Sequence, residues 1–171
     1  MVYEAGARFA IVGHSERRRL GETDENVSKK VLAALKERIT PILCVGEGER
    51  DSHGLYLHTL KEQIRNSLSG VSKNSIKKII IAYEPVWTIG KEAKDAMNAD
   101  ILHQTVILIR KILVDRFGPT GRGVKIIYGG SVAPENAREI VRGGEVDGLL
   151  VGHQSLKPES FKKILKEVAK A

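Results

Sequence analysis

One order of elements repeats along this chain: a short apolar run, a turn, then an amphipathic stretch. The apolar runs fall near 7–12, 40–45, 78–83, 125–128 and 148–151. Each is almost continuously apolar, which predicts strands buried on both faces. Helices are predicted between them and after the last. The one near 24–37 places Val27, Val31, Ala34 and Leu35 on one face, with Thr23 as its cap. A second is expected near 56–68. A third, near 99–117, is stopped by Gly118-Pro119. A fourth, near 134–142, starts with Pro134 in its first turn. The last sets Phe161, Ile164, Leu165 and Val168 at helical spacing. Five βα units in strict alternation imply a parallel sheet with right-handed crossovers. Two architectures satisfy that: an open doubly wound sheet, or part of a (β/α)8 barrel.

The 171 residues suffice for a single domain, and no linker or low-complexity stretch divides them. No apolar run approaches the ~18 residues of a membrane span. The N-terminus lacks the apolar core of a signal peptide. The lone cysteine, Cys44, excludes an internal disulfide and points to a cytoplasmic protein; it reads as inert packing. Net charge is +7, yet acids are interleaved with the basic residues and aromatics are sparse. That pattern argues against a nucleic-acid surface and favours a mild attraction for anionic small molecules.

Parallel sheets hold their ligands at the C-terminal ends of the strands. Those ends carry Gly13-His14-Ser15-Glu16, Gly46-Glu47, Glu84-Pro85, Gly129-Gly130-Ser131 and Gly152-His153. Proline cannot continue a ladder, so the chain must leave the sheet at Glu84. A carboxylate there is placed as a general base, with His14 as its acid partner. The small residues after the fourth and fifth runs expose backbone N–H groups that suit a phosphate.

These segments resemble the triosephosphate isomerase family. They are Ala10-Ile11-Val12-Gly13-His14-Ser15-Glu16-Arg17-Arg18, Ile42-Leu43-Cys44-Val45-Gly46-Glu47, Ala82-Tyr83-Glu84-Pro85-Val86-Trp87, Ile127-Tyr128-Gly129-Gly130-Ser131-Val132 and Asp147-Gly148-Leu149-Leu150-Val151-Gly152. They stand in family order across essentially the whole chain. The resemblance implies a TIM barrel and the cofactor-free, metal-free interconversion of dihydroxyacetone phosphate and glyceraldehyde 3-phosphate, a step of glycolysis and gluconeogenesis. It makes Glu84 the base and His14 a neutral electrophile. Glu16 becomes a carboxylate positioning its neighbours, with an ion pair to an arginine such as Arg17 as the structural reading. Gly90, Ser131, Gly152 and His153 become the phosphate cradle. Pro85, Val86, Trp87, Thr88 and Ile89 open a lid that runs to about Ala93. Trp87 is its hinge-side anchor, or otherwise a core aromatic.

Three departures from the family carry expectations. The lid has Glu92 where a glycine is usual and Ala93 where a lysine is usual, so its closure is expected to differ. His153 replaces a cradle glycine, which predicts a weaker, pH-dependent phosphate interaction. The sequence matches only the last five βα units, so an incomplete barrel is expected, lacking the catalytic Asn and Lys and the subunit-docking loop that the family carries upstream. A five-stranded sheet would expose apolar edges, which predicts a homo-oligomer. The competing functions are an isomerase, a catalytically impaired remnant that binds phosphate or self-assembles, and an anion or nucleic-acid binder.

Overall fold

The computed structural model describes residues 1–90 and 96–171. Four parallel strands, β1 (Phe9–Val12), β2 (Thr40–Val45), β3 (Ile80–Tyr83) and β4 (Lys125–Tyr128), lie side by side in chain order. The helices that join and follow them are α1 (Ser15–Arg19), α2 (Asp24–Lys36), α3 (Leu55–Ser67), α4 (Ala99–Phe117), α5 (Ala137–Gly143) and α6 (Pro158–Val168). Thr23 caps α2, its Oγ1 accepting from the Asn26 N–H at 3.3 Å. Asn98 caps α4 through the Asp100 N–H at 2.8 Å. Gly118, at φ +66°, lets the chain turn out of that helix.

Register explains the core. Val12, Leu43, Ile81 and Ile126 align across the sheet, and Val45, Tyr83 and Tyr128 form the next row on the same face. Both rows are buried, with Val31, Leu60, Ile64, Leu102, Ile109 and Leu113 of the helices in the same core. The opposite face is not covered as the apolar runs imply. Ile11 is 53% exposed there, Ile42 and Ile80 are half-buried, and Lys125 is exposed. Only Cys44 and Ala82, nearer the C-terminal end, are fully buried on that side. Continuous apolarity therefore marks strands whose second face is open among the described residues, not one packed under helices.

The fifth expected strand is not one. Residues 148–151 make a single parallel bridge, Tyr128 to Leu149. The Tyr128 N–H donates to the Gly148 carbonyl at 3.0 Å, and the Leu150 N–H to the Tyr128 carbonyl at 2.8 Å. The segment follows β4 in strand direction, but with a glycine at each end it pairs too briefly to extend the sheet. β3 also starts later than expected, because Ile76–Lys78 form a 3-10 turn. The fourth helix likewise begins at Ala137, not at Pro134. Asn136 holds the preceding turn: its Oδ1 accepts from the Ala133 N–H at 2.8 Å, and its Nδ2 donates to the Ser131 carbonyl at 3.1 Å.

Candidate active site

Two strand ends deliver the acid–base pair. After β1 the chain turns at Gly13, where φ is +70° and an added Cβ would lie 3.1 Å from Val27 and 3.2 Å from the Cys44 carbonyl. His14 then caps α1. Arg18 reaches back from α1, its Nε donating to the Gly13 carbonyl at 2.7 Å, and pairs with Asp24 at 2.6 Å. The turn that aims His14 is thus braced from two sides. At β3 the ladder continues one residue further, the Glu84 N–H donating to the Val45 carbonyl at 2.8 Å. Pro85 ends it.

Glu84 is buried, with only 3% of its surface exposed. Its Oε1 lies 3.0 Å from His14 Nε2, and its Oε2 accepts from the Ser15 N–H at 3.1 Å. His14 Nδ1 accepts from the Glu16 N–H at 3.4 Å. A ring nitrogen that accepts carries no proton, so this network assigns the hydrogen to Nε2 and a neutral imidazole that donates to Glu84. Burial pushes the Glu84 carboxyl above its ordinary range. His14, the Ser15 N–H, the Cys44 thiol and Arg18 oppose that rise without cancelling it. The result is a carboxylate of raised basicity beside an imidazole N–H.

A cavity of about 590 Å³ opens over this pair. His14, Glu16, Glu84, Gly90, Ser131, Gly152 and His153 all line it, together with Ile89. Every cradle and acid–base position read from the sequence therefore reaches one space. Glu16 stands at its exposed rim: its side chain is 78% exposed, and its carboxylate stands 4.0 Å from His14 Nδ1. Arg17 pairs with Glu22 instead of Glu16. Gly129 and Gly130 fit because nothing larger does. A Cβ on Gly129 would come 3.0 Å from Glu84 Cγ, and one on Gly130 would come 2.2 Å from the Tyr128 hydroxyl. A larger groove of about 730 Å³ runs along α5, lined by Glu135, Arg138, Glu139 and Arg142 among others, but it holds no such acid–base pair.

The described part of the lid begins as a 3-10 turn, Val86–Thr88. Thr88 is buried, and its carbonyl accepts from Ser131 Oγ at 2.6 Å. Lys91, Glu92 and Ala93 lie outside the described residues. Trp87 is half-buried, and its Nε1 donates to Glu47 Oε1 at 3.1 Å. Glu47 is the functional-site neighbour that sequence reasoning left without a role. It is 1% exposed and accepts from the Tyr83 hydroxyl at 2.8 Å and from Arg50 Nε at 2.9 Å. Arg50 also donates to Thr105 Oγ1 at 2.6 Å. The signal was present: Glu47 follows the end of β2 as Glu84 follows β3. Cys44 packs as expected, and burial, with the neighbouring Glu84 carboxylate, pushes its pKa up.

A family model described as triosephosphate isomerase matches residues 1–168. The chain belongs to the triosephosphate isomerase family. It is 43% identical over 168 residues to the triosephosphate isomerase of Moorella thermoacetica, covering 96% of this chain and 66% of that one. The Aquifex aeolicus enzyme is 44% identical with the same coverage. The Thermus thermophilus enzyme is 46% identical over 172 residues, covering 97% of this chain and 67% of that one. The crystal structure of triosephosphate isomerase from Bartonella henselae superposes with a TM-score of 0.83 at 38% identity, over 98% of this chain and 68% of that one. This likeness makes the fold a TIM-barrel architecture. The chain spans 66% of the length of the first two of these relatives.

Proposed function

We propose that this chain carries out triosephosphate isomerase chemistry, moving a proton between adjacent carbons of dihydroxyacetone phosphate and glyceraldehyde 3-phosphate. The observation that supports this most is the 3.0 Å approach of His14 Nε2 to a buried Glu84 oxygen at the wall of one cavity. The Glu84 carboxylate takes a proton from the carbon beside the carbonyl. His14 Nε2–H turns from Glu84 to the substrate carbonyl oxygen and stabilises the negative charge that gathers there. An enediolate results. Glu84 returns the proton to the neighbouring carbon, and the electron pair reforms the carbonyl one position along. One carboxylate serves both transfers because the two carbons are adjacent. Burial supports the chemistry by raising the basicity of Glu84.

The substrate phosphate is assigned to Gly90, Ser131, Gly152 and His153, and Glu16 to the positioning of the His14 ring. Pro85 to Ile89 form the base from which a lid closes. No described helix is long and apolar enough to cross a membrane, and Cys44 is a free thiol. Both fit a cytoplasmic enzyme of glycolysis and gluconeogenesis. We assign to the open edge of β1 a second copy of this chain. Support comes from Phe9 and Ile11, 60% and 53% exposed on the open face of a strand that pairs with β2 alone among the described residues. Sedimentation at micromolar concentration is expected to show a dimer or larger, and a monomer refutes that assignment.

The activity test is a coupled isomerase assay on this chain beside Glu84→Asp and Glu84→Gln. The expected result is a rate above the uncatalysed reaction that falls sharply in both variants. A rate equal in parent and Glu84→Gln, or no rate at all, overturns the proposal.

A further inference from the structure

We propose that Arg18 is a positioning residue: its guanidinium and its own backbone N–H together hold the two peptide planes that flank His14, and so fix the imidazole against Glu84. The consequence for rate rests on the isomerase reading; the consequence for the ring does not. Arg18 does not line the cavity, so it acts through His14 and not on a substrate.

The Gly13 carbonyl and the His14 N–H belong to one peptide plane. Arg18 Nε donates to that carbonyl at 2.7 Å. The His14 carbonyl belongs to the next plane, and it accepts from the Arg18 N–H at 3.0 Å. The two planes meet at the His14 Cα, so one residue sets the direction in which the ring leaves the backbone. The residue before His14 cannot set it, because a glycine at φ +70° is the freest of all to turn. The first turn of α1 then completes the arrangement, with the Glu16 N–H on His14 Nδ1 at 3.4 Å and the Ser15 N–H on Glu84 Oε2 at 3.1 Å. Five residues are too few for a helix to persist without outside support.

The guanidinium supplies that support. Its Nη1 meets Asp24 Oδ1, in the first turn of α2, at 2.6 Å. Its Nη2 faces the Cys44 carbonyl on β2 and Ser67 Oγ at the end of α3, each at 3.4 Å, the long limit of a hydrogen bond. Buried Ser67 donates in turn to the same Asp24 oxygen at 3.2 Å. The Arg18 and Asp24 side chains are 18% and 25% exposed, so solvent screens this pair less than a surface one. The two short bonds leave different nitrogens of one plane toward different elements. A planar fork can make both at once, whereas an ammonium is a point charge that must choose. One side chain thus ties α1 to β1, β2, α2 and α3.

The test compares the parent with Arg18→Met, Arg18→Lys and a control, Arg110→Met. Arg110 also donates to two carbonyls, those of Arg122 and Val124 at 2.7 and 2.6 Å, but before the start of β4, at the end remote from the cavity. The first readout is nitrogen NMR of the His14 ring, assigned by its loss in His14→Gln. In the parent one ring nitrogen is protonated and the other is not, which gives two well-separated signals. In Arg18→Met the ring is expected to exchange between tautomers, and the two signals to move toward each other. The second readout is kinetic: kcat is expected to fall about 100-fold for a ring displaced by ~1 Å, with KM within about threefold of the parent. Arg18→Lys keeps the charge and loses the fork, and is expected to stay within about threefold of Arg18→Met. Arg110→Met is expected to keep the parent's His14 signals, and its kcat within about twofold, even where its urea midpoint falls. Asp24→Asn loosens the far end of the clamp with an isosteric neutral partner and is expected to move the His14 signals the same way, with kcat about tenfold lower. Parent-like His14 signals in a folded Arg18→Met, full recovery by lysine, or an equal displacement in Arg110→Met each overturn the proposal. If Arg18→Met does not fold, parent-like signals in Asp24→Asn overturn it. An inactive chain whose His14 signals respond to Arg18 refutes the isomerase reading alone; an active one whose signals and kcat ignore Arg18 refutes this proposal alone.

Discussion

Replacing Gly46 by alanine tests how the sheet sets the position of the base. Gly46 follows β2, at the point where the chain passes against the end of β3. On one side the Glu84 N–H donates to the Val45 carbonyl at 2.8 Å, and on the other the Val86 N–H donates to the Glu47 carbonyl at 3.0 Å. Between these two bonds an added Cβ would lie 1.8 Å from the Glu84 carbonyl oxygen and 2.5 Å from its carbon. Ordinary contact begins near 3.4 Å, so the two backbones must part by about 1.6 Å. No rotamer change relieves that, because both obstructing atoms are backbone. Parting them stretches both flanking hydrogen bonds. Two weakened bonds at ~0.5–1.5 kcal/mol each, with overpacking of ~1–3 kcal/mol, predict a loss of ~2–6 kcal/mol of stability. The same movement carries Glu84 away from His14. A misplacement of ~1 Å costs ~100-fold in rate, so the isomerase rate is expected to fall by at least that much. Urea unfolding followed by far-ultraviolet circular dichroism gives the first number, and the coupled assay gives the second. Stability within ~0.5 kcal/mol of the parent, with an unchanged rate, would show that the close approach does not constrain Glu84.

Tyr83→Phe removes the hydroxyl that donates to buried Glu47, and ~1.5–3 kcal/mol of stability should go with it; a parent-like urea midpoint would refute that. For Glu84, the folded pKa lies above the unfolded one, so the folded state holds the proton more firmly and stability falls as pH rises from ~4.3 through the raised pKa. Glu84→Gln does not titrate there, and its stability relative to the parent is expected to improve between pH 4 and pH 7. A difference that stays constant over that range contradicts the burial argument. Cys44 is fully buried with its pKa pushed up, so iodoacetamide at pH 8 should label it only after unfolding; labelling of the native protein at the unfolded rate would overturn this.

Where local chemistry decides an element, its place was readable in the sequence. The helix expected near 99–117 is Ala99–Phe117, bounded by the Asn98 cap and by Gly118. His14 and Glu84 were readable as a pair because each follows an apolar run at a turn. Features set by distant partners were not readable. The run 148–151 has strand composition, yet whether it pairs depends on how far β4 extends beside it. Pro134 has the look of a helix start, but the Asn136 side chain holds residues 131–136 in a turn. Whether the second face of the sheet is covered is likewise a property of neighbours. The ion pair of Glu47 with Arg50 was not readable either, because its surroundings are built by Tyr83, Trp87 and Thr105 from three other elements.

The bond from Trp87 to Glu47 gives the molecule an optical sensor. Trp87 is the sole tryptophan in the sequence, so ultraviolet emission excited at its absorption edge comes from one ring. That ring stands at the foot of the segment leading to Gly90, its indole N–H held by a carboxylate and the Arg50 guanidinium 5.9 Å from its centre. Any rearrangement that breaks the bond alters the field on the indole and shifts its colour. Stopped-flow fluorescence on the unlabelled protein can therefore time movements at the cavity mouth.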